Sequence, residues 1–249
     1  YWRDWSSDVC SSDLFEIEAG YRLLLEGGNA IDAGVAATLA AAVTEQARFG
    51  LGGEMPLIIK MAGKEPVVIS GVGVAPTKAT AEWYQSRPAE SWESGAKRPP
   101  IPGQGLRSAI TPGVFDGLMV ALETYGTKSF AQVAAPALEY ARDGFPLGEE
   151  FAQFLKGNET VLRSWPTSAA FFFPGGNIPG RGELWRAPEL AGTFEELAAA
   201  ERKARGSRVR KIQAVRDYFS SGPIARKLAA FSEANGGLIA YNDLKNFKA

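Results

Sequence analysis

Histidine is absent from the 249 residues, and cysteine occurs once, at Cys10. The first absence excludes Ser-His-Asp and Cys-His nucleophile systems and every histidine-ligated metal site within the chain. The second excludes an intrachain disulfide and a thiolate metal cluster. No apolar run reaches the roughly 20 residues that a membrane-spanning helix needs; the candidate at 30–43 is too short and is followed by charge. Neither sign of charge is in excess: Lys plus Arg is 27 and Asp plus Glu is 28, a net charge of −1. That balance gives no overall electrostatic reason to expect nucleic acid or an anionic membrane as partner. Chemistry therefore falls to hydroxyls, amines, carboxylates, backbone dipoles or another segment of chain.

What is present reads as ordinary globular material, 45% hydrophobic and 22% charged, enough for one large domain or two small ones. The first 14 residues stand apart. DWSSDVCSSDL at 4–14 resembles the in-frame translation of a sequencing adapter, so residues 1–14 are expected to be a non-native leader and the protein proper to occupy 15–249.

Residues 15–25 predict a short amphipathic helix closed by Gly27-Gly28. Asn29 then caps a second helix, with Asp32 three positions on to complement its N-terminal dipole. In that helix Ile31, Val35, Leu39 and Val43 form one large-sided stripe, while the other faces are mainly Ala and Gly. Apolar all round and small-sided, it is expected to be core. Leu57 to Lys60 and Val67 to Ser70, on either side of Ala62-Gly63-Lys64, predict a hairpin with Lys60 turned to solvent. The glycines at 50, 52 and 53 are no dinucleotide fingerprint, because Met55 stands where glycine would be required.

Beyond a Pro-rich loop near 98–103 the pattern turns helical. Helices are expected over Val114 to Tyr125, over Lys128 to Asp143 with Pro136 opening a second part, and over Pro223 to Asn235. Thr193 with Glu196 reads as a capping box, Asp243-Leu244 as a further helix start, and 157–188 as a long folded loop. ERKARGSRVRK at 201–211 has six basic residues and one acidic. Lacking an aromatic residue for base stacking, it reads as a solvated helix end and loop.

EGGNAIDAGVAATLAAAVTE, the glycine cluster, the hairpin and GVAP, in that order, resemble the large-subunit region of gamma-glutamyltransferases, which are N-terminal-nucleophile hydrolases. The similarity continues through SAITPGVFDGLMVALETYGTKSFAQVAAPALEYARDGFPL at 108–147 and DYFSSGPIARKLAAFSEANGGLIAYNDLKNF at 217–247. The resemblance implies an α+β fold, the helix-rich large-subunit portion of an αββα sandwich. It implies a partner, the chain's own small subunit produced by self-cleavage, and a small-molecule amide or peptide substrate. It implies no metal and no organic cofactor. The nucleophile would be a threonine at the start of the small subunit, with its own α-amino group as general base, which fits the missing histidines.

Two departures from the family pattern matter. Where family members that bind a gamma-glutamyl group carry an arginine after the glycine of ISGVGVAP, this chain has Val72, which cannot pair with a substrate carboxylate. Arg48 and Glu54 flank the glycine cluster. Either Arg48 takes over the missing contact, or it is a surface arginine paired with Glu45 or Glu54. Arg48, Glu54 and Val72 are accordingly the candidate substrate-binding residues. No threonine here matches the nucleophile: Thr111, Thr127 and Thr167 fall in turns or at helix starts, and Thr193 reads as a cap. The nucleophile is expected beyond Ala249, and this chain by itself is expected to be inactive. Three readings follow: a gamma-glutamyltransferase-like enzyme, an acylase or small-amide hydrolase of the same superfamily, or a non-catalytic binding relative. An α/β hydrolase is excluded by the absence of a Gly-x-Ser-x-Gly elbow and of histidine.

Overall fold

The computed structural model describes residues 11–87 and 102–249. Cys10, residues 1–10 of the expected leader and most of the Pro-rich stretch at 98–103 lie outside the described residues. The chain divides into two compact units, one of residues 1–51 with 121–212, the other of 52–120 with 213–249.

In the first unit, helix α1 (Ser11–Leu25) packs on α2 (Ala30–Thr44), which packs in turn on α5 (Phe130–Asp143), and α5 on α9 (Pro188–Lys203). The start of α2 is a full capping box. Asn29 Oδ1 accepts from the N–H groups of Ile31 and Asp32 at 2.9 and 3.0 Å, and Asp32 accepts from the Asn29 N–H at 2.8 Å. These bonds satisfy donors that a bare helix end would leave open. Val35, Leu39 and Val43 are buried, as are Ala36, Ala40 and Ala42 between them. The small faces are what lets neighbouring backbone come close: a Cβ on Gly20 of α1 would lie 3.1 Å from the Ala33 carbonyl oxygen.

Several elements of this unit differ from expectation. α5 begins at Phe130 behind a Ser129–Gln132 capping box and continues through Pro136 without a break. Pro136 is buried there, so packing outweighs the hydrogen bond its ring removes. The stretch 157–188 is not one loop. It holds α7 (Glu159–Arg163), α8 (Pro166–Phe172) and strand β4 (Leu184–Trp185), which pairs antiparallel with β3 (Phe145–Pro146). Buried Trp185 makes edge contacts with Phe151 and Phe171 at 5.6 and 5.7 Å and stacks on Phe172 at 6.3 Å. Thr193 is no cap: α9 starts at Pro188, and the Thr193 hydroxyl donates to the Glu189 carbonyl inside the helix. The proline, with φ preset for a first helical turn, moves the start upstream. The basic stretch 201–211 is a loop only over 204–207; α10 (Arg208–Ser220) then begins.

In the second unit, β1 (Met55–Ile59) and β2 (Val67–Gly71) form the expected hairpin, in the register Met55↔Gly71, Leu57↔Ile69 and Ile59↔Val67. Alternation buries Ile59 and Ile69 on one face and leaves Ile58 and Val68, a cross-strand pair, 70% and 66% exposed on the other. Lys60 is exposed. Helix α4 (Val114–Tyr125), which like α10 divides between the two units, brings Phe115 onto Phe219 in a stacked pair with centroids 4.3 Å apart. α11 (Pro223–Ala234) packs on α12 (Tyr241–Asn246) around Ala225, Ala229 and Leu244. The class is α+β, dominated by helix. Among the described residues no helix is long and apolar enough to cross a membrane.

Candidate functional site

The hairpin has one closed end, turning at Gly63, and one open end. Since Met55 pairs with Gly71, Glu54 and Val72 are the next residues on each side and leave the strands together. Both are exposed, Val72 at 36%. Two of the three candidate residues thus meet at the mouth of one hairpin, although seventeen residues of sequence separate them.

Glycines hold this mouth against the start of α4. A Cβ on Gly113 would lie 2.2 Å from the Gly71 carbonyl oxygen, and one on Gly73 would lie 2.3 Å from that of Thr111. No side chain fits at such separations. β2 ends at Gly71, and beyond Val72 the Thr111 N–H donates to the Val74 carbonyl at 2.9 Å in an isolated antiparallel bridge. Thr111 is fully buried, and its hydroxyl has no hydrogen-bond partner among the described residues.

Arg48, the third candidate, belongs to the first unit. It forms an ion pair there with Glu150, not with the Glu45 or Glu54 that sequence proximity suggested. Glu150 opens α6 (Glu149–Gly157), a neighbour that no local pattern foretells.

Asp32 is a heavily hydrogen-bonded carboxylate of the first unit. Besides capping α2, it accepts from the Thr127 hydroxyl at 2.6 Å and from the N–H groups of Thr127 and Lys128 at 2.8 and 3.0 Å. Burial pushes its carboxyl up, but the Thr127 hydroxyl and the backbone donors of Lys128, Asn29 and Thr127 outweigh this and hold it below the usual range. Thr127 is thereby occupied structurally. Across the same unit, buried Glu201 on α9 accepts from the N–H groups of Phe130 and Ala131, both at 2.8 Å, and completes the N-terminus of α5.

In the second unit, Asp243 takes up the Thr77 N–H at 3.0 Å, the Thr77 hydroxyl and the Ala240 N–H at 2.8 Å. Asp116 pairs with Arg216 and also accepts the Ala249 N–H at 2.9 Å. Sequence reading missed both carboxylates as organising groups. The Asp at the start of α12 was visible as a helix signal, but its partner Thr77 lies 166 residues away. No cluster of three or more potential metal-ligating His, Cys, Asp or Glu residues occurs among the described residues.

The fold is that of a helix-rich α+β portion of an N-terminal-nucleophile hydrolase. The chain belongs to the gamma-glutamyltranspeptidase family, whose model matches residues 17–249. It is 31% identical over 239 residues to the glutathione hydrolase-like YwrD proenzyme of Bacillus subtilis, covering 95% of this chain and 41% of that protein. To the acylase ACY 1 proenzyme of Pseudomonas sp. strain SE83 it is 33% identical over 230 residues, covering 92% of this chain and 39% of that one. The crystal structure of Helicobacter pylori gamma-glutamyltranspeptidase superposes with a TM-score of 0.81 at 28% identity, over 96% of this chain and 63% of that one. The chain thus spans about two fifths of the length of these curated relatives.

Proposed function

We propose that the intact protein hydrolyses or transfers an amide-linked acyl group, using a threonine that lies in chain beyond Ala249 and is freed by self-cleavage. The threonine hydroxyl attacks the amide carbonyl while its α-amino group takes the proton. That proton then passes to the departing amine, and water or a second amine releases the acyl group from the ester. Backbone donors stabilise the oxyanion. The other subunit made by the cleavage is the chain's obligate partner, and residues 15–249 by themselves are inactive.

The observation that carries the choice of acyl group is Val72. It presents an exposed apolar side chain at the hairpin mouth, followed two residues on by Val74, also exposed. An isopropyl group offers a substrate carboxylate neither charge nor donors, so discrimination in favour of a gamma-glutamyl group is weak at this position. An acyl group without that carboxylate fits better, and the likeness to an acylase proenzyme supports this. The likeness to a glutathione hydrolase-like proenzyme keeps gamma-glutamyl transfer as the second reading.

The test begins with the uninterrupted gene product, weighed by mass spectrometry and then assayed on p-nitroanilides bearing gamma-glutamyl, butyryl and phenylacetyl groups. Two chains, the smaller beginning with threonine, and faster cleavage of the acyl anilides are expected. An uncut, inactive chain sinks the enzyme reading. A cut enzyme that prefers the gamma-glutamyl anilide sinks only the choice of acyl group.

A further inference from the structure

Alternation along the hairpin turns Glu54, Pro56 and Ile58 outward from one side and Val68, Ser70 and Val72 from the other. Of these six, Glu54 alone is charged. Lys60 follows on the same face but stands at the closed end, about 20 Å along the strand, where its ammonium donates to the Lys64 carbonyl. At that distance salt screens one charge from the other, and the open end of the face is negative.

Glu54 and Val72 are both held by the short segment that leads into α4. The Gly53 carbonyl, one residue before Glu54, accepts the N–H groups of Gly113 and Val114 at 3.2 and 3.3 Å. On the other side Gly71 and Gly73 flank Val72, and the same segment crosses each of them, at Gly113 and at Thr111. Backbone tied in this way sets the direction of the side chains before a ligand arrives. A carboxylate and an isopropyl group therefore stand together at the mouth, where the family pattern has an arginine for a substrate carboxylate. An acyl chain ending in a carboxylate meets like charge there. One ending in a cationic nitrogen meets opposite charge, and its methylenes have Val72 to pack on.

We propose that Glu54 selects the acyl half of the substrate by charge, favouring an acyl chain that ends in an ammonium group and turning away one that ends in a carboxylate. This deepens the amide-hydrolase reading and rests on it. Val72 removes the attraction for an anion, and Glu54 adds one for a cation, so the two departures act in the same sense. The substrate class is an amide of an ω-amino acid.

The test uses the uninterrupted gene product and three p-nitroanilides that differ only at the end of one three-methylene chain: 4-aminobutyryl (ammonium), pentanoyl (methyl) and glutaryl (carboxylate). With release in the absence of enzyme subtracted, kcat/KM for 4-aminobutyryl should exceed that for pentanoyl about fivefold, as expected for one solvent-accessible ion pair. Glutaryl should fall below both, and the differences should shrink as salt is raised. Glu54→Gln should bring 4-aminobutyryl level with pentanoyl. Glu54→Lys should put glutaryl first, a reversal that a merely structural carboxylate does not produce. Glu65→Gln, at the closed end of the hairpin, should keep the parent order. Mass spectrometry and circular dichroism melts establish that each variant is cut and folded, and if Glu54→Lys fails to mature, Glu54→Gln decides. An active enzyme with no preference for 4-aminobutyryl, or a preference that survives Glu54→Gln, overturns the proposal. So does a Glu54→Gln variant that melts lower with the parent order intact, which marks Glu54 as an ion-pair partner of the small subunit. Equal cleavage of the 4-aminobutyryl and pentanoyl anilides leaves the amide-hydrolase reading standing without this one, whereas cleavage of no anilide removes both.

Discussion

Asp116 and Arg216, a hundred residues apart, face each other in a two-pronged ion pair: Nε reaches Oδ1 at 2.9 Å and Nη2 reaches Oδ2 at 3.0 Å. Asp116 is almost fully buried, and its Oδ2 also accepts the Ala249 N–H. One carboxylate in the first turn of α4 thereby ties α10 and the end of the described chain to the helix whose glycines hold the hairpin.

Removing one partner should be far worse than removing both. Asp116→Ala removes the two-pronged contact to the Arg216 guanidinium and frees the Ala249 N–H, and is expected to lower unfolding free energy by about 3 kcal/mol. Arg216→Ala strands a buried carboxylate and should cost at least as much. An Asp116→Leu, Arg216→Met double variant should recover most of the loss, because two apolar side chains avoid the desolvation of both ions. Urea midpoints of the three variants check this, and additive losses in the double variant would count against it.

Asp32 contributes to the loss of stability in acid. Its carboxyl is held below its usual value in the fold, so the charged form is favoured there over the unfolded chain, where the value is about 3.9. The resulting stability is fully present above that value and is lost as pH falls through the folded-state value. Asp243, lowered likewise, adds to the same slope. Asp32→Asn should cost about 2 kcal/mol at pH 7 and flatten the fall in melting temperature below pH 4. A variant with the wild-type pH profile would remove Asp32 as the cause.

Two glycines predict opposite extremes. At Gly113 an added methyl would meet Gly71 oxygen at 2.2 Å, backbone against backbone. Gly113→Ala should therefore cost more than about 3 kcal/mol or displace the hairpin mouth. At Gly63 the space is open but φ is +69°. Gly63→Ala should cost only about 1 kcal/mol, the strain of a left-handed turn residue. Thermal melts of the two variants side by side test the contrast.

Val72→Arg tests the hairpin mouth as an acyl-recognition position. Val72 is exposed, so folding stability should stay within about 0.5 kcal/mol of the parent. In the uninterrupted gene product the exchange should raise kcat/KM for a gamma-glutamyl anilide relative to a phenylacetyl anilide by about tenfold or more. An unchanged ratio would separate Val72 from substrate recognition.

Local chemistry was legible in the sequence wherever the cause and its effect lie within a few residues. The Asn29–Asp32 cap, the buried alanine helix behind it, the hairpin around Gly63 and the helix ending at Tyr125 are all of that kind. Where a second local signal competed, the reading slipped: Pro188 started α9 before Thr193 could cap it, and α5 ran through Pro136. Of the candidate site, the sequence marked Glu54 and Val72 separately, and only the Met55↔Gly71 register brought them to one mouth.

The sequence by itself determined what chemistry this chain is unable to carry, which segments coil or extend, and the family to which it belongs. Composition, periodicity and motif order act residue by residue and need no partner. Tertiary structure alone decided that Arg48 pairs with Glu150, that Thr127 serves Asp32, and that Asp243 reaches back to Thr77. Such pairings span up to 166 residues. Which carboxylate meets which donor depends on how packed helices bring distant side chains within 3 Å, a distance at which no local pattern of residues discriminates.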